Sequence, residues 1–257
     1  MIGTAKTRLD LLLVVRALAP SREQARALIL AGRVLVREQK IDKPGTAVAG
    51  DAAIRLLGEV RPYVSRGGLK LAAALEHWEI SVAGRACLDV GASTGGFTDC
   101  LLQHGAAHVT AVDTGFGQIA MKLRTDPRVR LLERTNARLL AAGSLAACAL
   151  AAEGRSAELT FLAMDVSFIS ATLVLPAVLA AAPDLREGVI LVKPQFEAGR
   201  VYVGKGGIVR DPAAHQLAID KVAECVRVLG WTVVETIPSP INGAEGNREF
   251  LLYARRH

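Results

Sequence analysis

The sequence predicts an α/β protein: a mostly parallel, seven-stranded mixed sheet preceded by a small, basic α+β module. Three observations predict it. From residue 85 onward, apolar strand patterns alternate with helical ones. The last two strand patterns, "WTVVETI" and "EFLLYAR", are joined only by "PSPINGAEGNR", too short for a crossover helix, so they are expected to pair antiparallel. The charge is also uneven. Residues 1–70 hold 13 Lys and Arg against 6 Asp and Glu, a net of +7, and the remainder holds 18 against 19, a net of −1. A basic module on a near-neutral α/β body is expected to be a polyanion-binding arm on an enzyme.

In the first module, Leu9, Leu12, Leu13 and Val15 predict a short helical face. Ser21 is expected to cap a second helix, "REQARALILAG", which Gly32 stops. Arg22 and Arg26, four residues apart, share a side of that helix away from Ala25, Leu28 and Ile29. "RVLV" alternates like a half-buried strand, Pro44-Gly45 marks a turn, and "AAIRLL" closes the module with another strand. Pro62 and Gly67-Gly68 break regular structure in "GEVRPYVSRGG". The expected division is a module over residues 1–60, a linker over 61–68 and a body over 69–257.

The strands of the body are expected at "ACLDV", "HVTAVD", "VRLLE", "LTFLAMD", "GVILVKP", "WTVVETI" and "EFLLYAR". The loop after the first carries Gly91, Gly95 and Gly96 as G-A-S-T-G-G, a spacing that fits neither the dinucleotide fingerprint nor the phosphate-binding loop of NTPases. Asp89 sits just before this loop. A pyrophosphate there would be repelled, whereas an ammonium or sulfonium ligand would not. Asp113 ends the second strand, where a carboxylate accepts both hydroxyls of a ribose. Together these features describe S-adenosylmethionine (SAM). The residues expected to hold it are Asp89, Gly91, Ser93, Thr94, Gly95, Gly96, Phe97 and Asp113, with Asp165 and with Asn136 at the adenine; Asn136 reads equally as a helix N-cap.

Four further residues end or begin elements on one rim of the sheet. Lys70 lies in "SRGGLKL", Asp165 ends the fourth strand, Lys193 ends the fifth, and Glu249 begins the last. A ribose hydroxyl is a poor nucleophile until it loses its proton. A lysine takes that proton only where a second cation and burial favour its neutral form. Lys70 is expected to be that cation, Lys193 the base, and Asp165 and Glu249 the groups that orient them. Positioning the hydroxyl in line with the sulfonium methyl then supplies much of the rate.

The first module resembles an S4 RNA-binding domain through Arg8-Leu9-Asp10, Ser21-Arg22, Ala25, Ile29, Gly32, Val34, Val36 and Lys43-Pro44. The resemblance implies RNA contacts from Arg8, Arg22, Arg26, Arg33 and Lys43. Where that family carries an Asn-Gly-type turn this chain has Arg37-Glu38-Gln39-Lys40, so the hairpin is expected to be longer or differently shaped. Over nearly the whole chain, "SRGGLKL", "LDVGASTGGFTD", "RTNAR", "DVSFIS", "LVKPQFE", "GKGGIVRD" and "GNREF" resemble the TlyA family of ribosomal RNA 2′-O-methyltransferases, historically labelled haemolysins. That resemblance implies an S4 domain joined to an FtsJ-like, Rossmann-like SAM-dependent methyltransferase, and a Lys-Asp-Lys-Glu tetrad at Lys70, Asp165, Lys193 and Glu249. It also implies a cytidine of 23S rRNA as target, with a second in 16S rRNA in some members. The short tail "LLYARRH" is expected to favour the single 23S target, on naked RNA or on ribosomal subunits.

Two other functions fit these features less well. An RNA base N-methyltransferase is expected to carry a proline pair after the fourth strand, and Asp165-Val166-Ser167-Phe168 has none. A membrane-active haemolysin needs a spanning or amphipathic element, and the apolar runs here suit strands and sheet-packing helices. Cys87, Cys100, Cys148 and Cys225 form no C-x-x-C pair, so neither a metal site nor a disulfide framework is expected. They read as small buried thiols of a soluble, cytoplasmic protein.

Overall fold

The computed structural model describes residues 6–19, 21–57, 62–146, 158–243 and 245–256, in two units, Met1–Arg61 and Pro62–His257. Cys148 lies outside the described residues.

The first unit runs β1 (Lys6–Arg8), α1 (Leu9–Val15), α2 (Arg22–Leu30), β2 (Val34–Val36), β3 (Gln39–Ile41), β4 (Ala47–Ala49) and β5 (Ile54–Leu56). β1 pairs antiparallel with β4, and β2 lies between β3 and β5. Leu9, Leu13, Ala25, Ile29 and Val34 are fully buried between the helices and strands. Ser21 caps α2 by accepting from Gln24 N at 3.2 Å. Val15, expected on the buried face of α1, is 79% exposed. At 100° per residue it lies about 110° round the helix from the Leu9-Leu12-Leu13 stripe, beyond its edge.

The hairpin also differs from expectation. Val36 pairs directly with Gln39, so the turn has only two residues, Arg37 (φ 50°) and Glu38 (φ 65°). Both are left-handed, the conformation whose twist matches the flanking strands. The turn is therefore tight despite lacking glycine, and Glu38 is tied across the sheet to Arg55 at 2.5 and 3.2 Å.

The second unit runs α3 (Gly67–His77), β6 (Ala86–Val90), α4 (Gly96–Gln103), β7 (His108–Val112), α5 (Met121–Arg124), β8 (Val129–Leu132), β9 (Leu159–Met164), α6 (Ala171–Ala181), β10 (Glu187–Val192), α7 (Pro194–Glu197), α8 (Pro212–Val228), β11 (Thr232–Pro238) and β12 (Phe250–Arg255). The sheet order is β11-β12-β10-β9-β6-β7-β8, with β12 antiparallel to both neighbours. Strand residues alternate between two cores because successive side chains point to opposite faces. Cys87, Phe161, Val189 and Leu251 meet α3 and α4 on one face; Leu88, Leu162, Ile190 and Leu252 meet α6 and α8 on the other.

The stretch before α3, expected as a linker, docks on α4. Val64 N donates to Asp99 Oδ2 at 2.8 Å, and Gln103 Nε2 donates to the Pro62 carbonyl at 2.9 Å. α3 itself begins at Gly67.

Candidate active site

β6 is hydrogen-bonded to β7 on one side and β9 on the other, so connections leave it in both directions along the sheet. Such a reversal opens a crevice at the carboxyl ends of the strands. The glycine loop from β6 to α4 lines it. Gly91 has φ 89°, and a Cβ there would lie 2.4 Å from the Asp165 carbonyl oxygen, so only glycine lets this loop cross the end of β9.

Two adjoining cavities flank the loop. One, of about 260 Å³, is lined by Gly91, Ser93, Thr94, Gly96, Phe97, Asp165 and both tetrad lysines. The other, of about 420 Å³, is lined by Gly91, Ser93, Asp113, Gln118, Asn136 and Asp165. Asp113 is fixed by two backbone donors, Ser93 N at 2.7 Å to Oδ2 and Gly115 N at 2.6 Å to Oδ1, leaving a further lone pair on each oxygen for a ligand. Asn136 lines the second of these cavities and also caps a short 3-10 turn, accepting from Arg138 N at 3.1 Å.

The four rim residues form two ion pairs. Lys70 Nζ donates to Glu249 Oε2 at 2.5 Å, with both side chains buried. Gly243 makes room for this carboxylate, since a Cβ there would lie 2.4 Å from Glu249 Oε1. Lys193 Nζ lies 2.5 Å from Asp165 Oδ1, an ion pair rather than an aligned hydrogen bond, and donates to Ser167 Oγ at 2.7 Å. Both lysines also line a third cavity, of about 310 Å³, with Phe168, Gln195, Phe196 and Glu249. The lysines therefore stand where the loop-side cavity and a second chamber meet.

Known proteins share this organisation. The S4 domain family matches residues 7–54, and the FtsJ-like methyltransferase family matches residues 63–256. The chain is 46% identical to the 16S/23S rRNA (cytidine-2′-O)-methyltransferase TlyA of Mycobacterium tuberculosis, over 97% of this chain and 90% of that one. The chain belongs to the TlyA family.

Other relatives bear the older name. Hemolysin A of Brachyspira hyodysenteriae is 39% identical over 96% of this chain and 98% of its own. A solved Streptococcus thermophilus protein named as a candidate hemolysin superposes with a TM-score of 0.70 at 40% identity, covering 99% of this chain and 90% of that chain. Among the described residues, no helix is long and apolar enough to cross a membrane, and no cluster of His, Cys, Asp and Glu is arranged to hold a metal ion.

Two residues expected at the cofactor line neither loop-side cavity of this TlyA-family chain. Gly95 (φ 93°) caps α4 against Leu123 and Ile119. Asp89 is fully buried beneath the loop, where Thr98 Oγ1 donates to its Oδ2 at 2.6 Å and Oδ1 has no partner. Burial pushes its carboxyl up to about 7. The folded value lies above the unfolded one, so its stabilising contribution is complete below pH ~4 and is lost as pH rises through about 7. In ligand-free protein, Asp89→Asn is expected to be increasingly more stable than wild type from pH 5 to pH 8, by on the order of a few kcal/mol. Thermal melts that run parallel across that range would contradict it.

In the S4 unit, Arg26 is exposed on α2, Lys43 is exposed, and Arg33 is half-buried. Arg8 and Arg22 converge on Asp10, which is fully buried: Arg8 donates twice, at 3.0 and 3.1 Å, and Arg22 Nε once, at 2.9 Å. The Arg8 hydrogen bonds, joined by Arg22, hold the Asp10 carboxyl well below the usual carboxylate range. Sequence reasoning missed Asp10 in this role. It also missed Ser167 and Gln195 beside Lys193, although each lies within two residues of an expected site residue.

Proposed function

We propose that this protein transfers the methyl group of SAM to the 2′-hydroxyl of a cytidine ribose in ribosomal RNA. The observation that carries the proposal is the meeting of two buried lysines, each paired with its own carboxylate, between the glycine-loop cavity and a second chamber. Two neighbouring cavities sharing Gly91, Ser93 and Asp165 suit a bent nucleoside–amino acid ligand. The donor set fits SAM as well. Asp113 retains acceptor capacity for a ribose diol, Asn136 borders the nucleoside side, and Ser93, Thr94, Gly96 and Phe97 border the amino-acid side. Asp89 and Gly95 then shape the loop from beneath rather than touch the ligand.

Bound SAM supplies a sulfonium-activated methyl group, whose carbon–sulfur bond breaks with its electron pair remaining on sulfur. This chain's residues do the rest. Lys193 accepts the 2′-hydroxyl proton as the oxygen bonds to the methyl carbon. Asp165 and Ser167 fix the Lys193 Nζ, and Glu249 holds Lys70 as the neighbouring cation. Arg8, Arg22, Arg26, Arg33 and Lys43 contact phosphates, which positions RNA without reading bases.

The named target of the M. tuberculosis relative includes both 16S and 23S rRNA, and that of a 33% identical Campylobacter jejuni relative is 23S rRNA. A 23S cytidine is common to both and is the target proposed here. Alkaline hydrolysis of RNA methylated by the pure enzyme tests the chemistry. Ribose methylation protects the adjoining phosphodiester; an unprotected bond at the labelled nucleotide would indicate base methylation instead. For the cofactor, Asp113→Ala is expected to weaken SAM binding by about 1–3 kcal/mol, the scale of hydrogen bonds to a charged acceptor, with rRNA affinity unchanged. Calorimetry giving wild-type SAM affinity would remove Asp113 from the ribose.

A further inference from the structure

The basic first unit holds a fully buried acid at the start of α1. The Asp10 carboxylate is saturated: Arg8 donates from Nε and Nη2, Arg22 from Nε, and Leu11 from its backbone N at 3.0 Å. As a charge, Asp10 works against phosphate binding. It cancels one of the two cations and repels the ligand. Its use lies in geometry instead. Arg8 Nη2 and Arg22 Nε share one oxygen, Oδ2, at 3.1 and 2.9 Å, so two guanidiniums that would repel each other are held side by side. Both side chains are half exposed. Among the described residues, Arg8 Nη1 and both Nη groups of Arg22 meet no acceptor.

The Arg8 guanidinium is also backed by the turn before β4. A Cβ on Gly45 would lie 3.4–3.6 Å from its Nη1, Nη2 and Cζ, so one face rests against that turn. The turn itself is bonded to the start of α1, Leu9 N donating to the Thr46 carbonyl at 2.8 Å and Asp10 N to the Pro44 carbonyl at 3.1 Å.

We infer that Asp10 is a positioning residue for RNA binding, clamping Arg8 and Arg22 together so that their free guanidinium edges take one backbone phosphate between them. The inference rests on the reading of rRNA as substrate. A free arginine side chain samples many rotamers and must lose that freedom when it binds. Here Asp10 imposes the loss on folding, before RNA arrives, and a preordered pair binds more tightly than two loose cations. Arginine suits the arrangement because its planar fork binds a carboxylate along one edge and presents donors along another.

The test measures binding of full-length protein to a 23S rRNA fragment, without methyl transfer, over a range of salt concentrations. Asp10→Asn keeps the size of the side chain and an acceptor for Leu11 N. It also removes a negative charge, so charge alone predicts tighter binding, whereas positioning predicts a Kd raised by about tenfold with SAM affinity unchanged. Arg8→Lys combined with Arg22→Lys keeps both charges and loses both forks, and is expected to lose a similar factor. On that double background Asp10→Asn should cause no further loss, because the partners through which it acts are already gone. Wild-type or tighter binding by Asp10→Asn overturns the inference. An equal loss on both backgrounds does so too, since it shows a general effect on the fold. Wild-type affinity in the double lysine variant overturns it even where Asp10→Asn fails to fold. Wild-type protein that binds no rRNA overturns the rRNA reading itself.

Discussion

Lys193→Arg is expected to lower the single-turnover rate of methyl transfer by about a thousandfold, within the range of a lost general base, while SAM and rRNA affinities stay near wild type. Arginine is the informative replacement. Lys193 is 9% exposed in its side chain and lies 2.5 Å from Asp165, so removing its charge would strand a carboxylate and endanger the fold. Arginine keeps the charge and stays protonated at any working pH, so it preserves the ion pair but cannot take a proton. A group needed only in the transition state should reduce the chemical rate without weakening ground-state binding. Lys193→Ala should be as inactive, and its melting temperature reports how far the loss is structural. A Lys193→Arg enzyme with a near-normal single-turnover rate would mean that the residue acts as a fixed positive charge. The proton would then leave through another group.

The larger unit was legible because its signals are local. Each strand of the sheet carries its own apolar run, and the short last connection announces an antiparallel pair. The gathering of Lys70, Asp165, Lys193 and Glu249 at one rim was legible through family resemblance and the rule that ligands gather at strand ends. What lay hidden was the pairing within it. Lys70 and Glu249 are 179 residues apart, and no local pattern says which lysine meets which carboxylate. Asp89 was legible as a strand-end acid, but its depth was not: loop closure over Thr98 decides whether a carboxylate touches a ligand or lies beneath it. In the small unit, β1 and β4 have three residues each, too few for alternation to register, and they exist because they pair with one another. Nothing in "TRLDL" marks Asp10 as buried, yet it is, with two arginines closing over it.

Removal of residues 1–61 is expected to weaken rRNA binding by about a hundredfold at moderate salt while leaving SAM affinity intact. The cut falls between the two units, and the retained Pro62 and Val64 keep their bonds to Gln103 and Asp99 on α4. The cavities that suit the cofactor are lined wholly by residues of the second unit. The removed segment holds the basic excess of the chain, including Arg8, Arg22, Arg26, Arg33 and Lys43. Each neutralised phosphate releases counterions, so the logarithm of affinity falls with the logarithm of salt in proportion to their number. The shortened protein should therefore bind more weakly and also show a shallower salt dependence, its slope reduced by about one for each phosphate no longer neutralised. Arg8 and Arg22 are expected to count fully, because Asp10 occupies only one edge of each guanidinium and holds both in place at the surface. Methylation by the shortened enzyme should fail mainly through KM, since the tetrad is untouched. Equal salt slopes for the full-length and shortened proteins would show that the second unit alone holds the RNA, and the basic residues of the first would then be no more than a solvated surface.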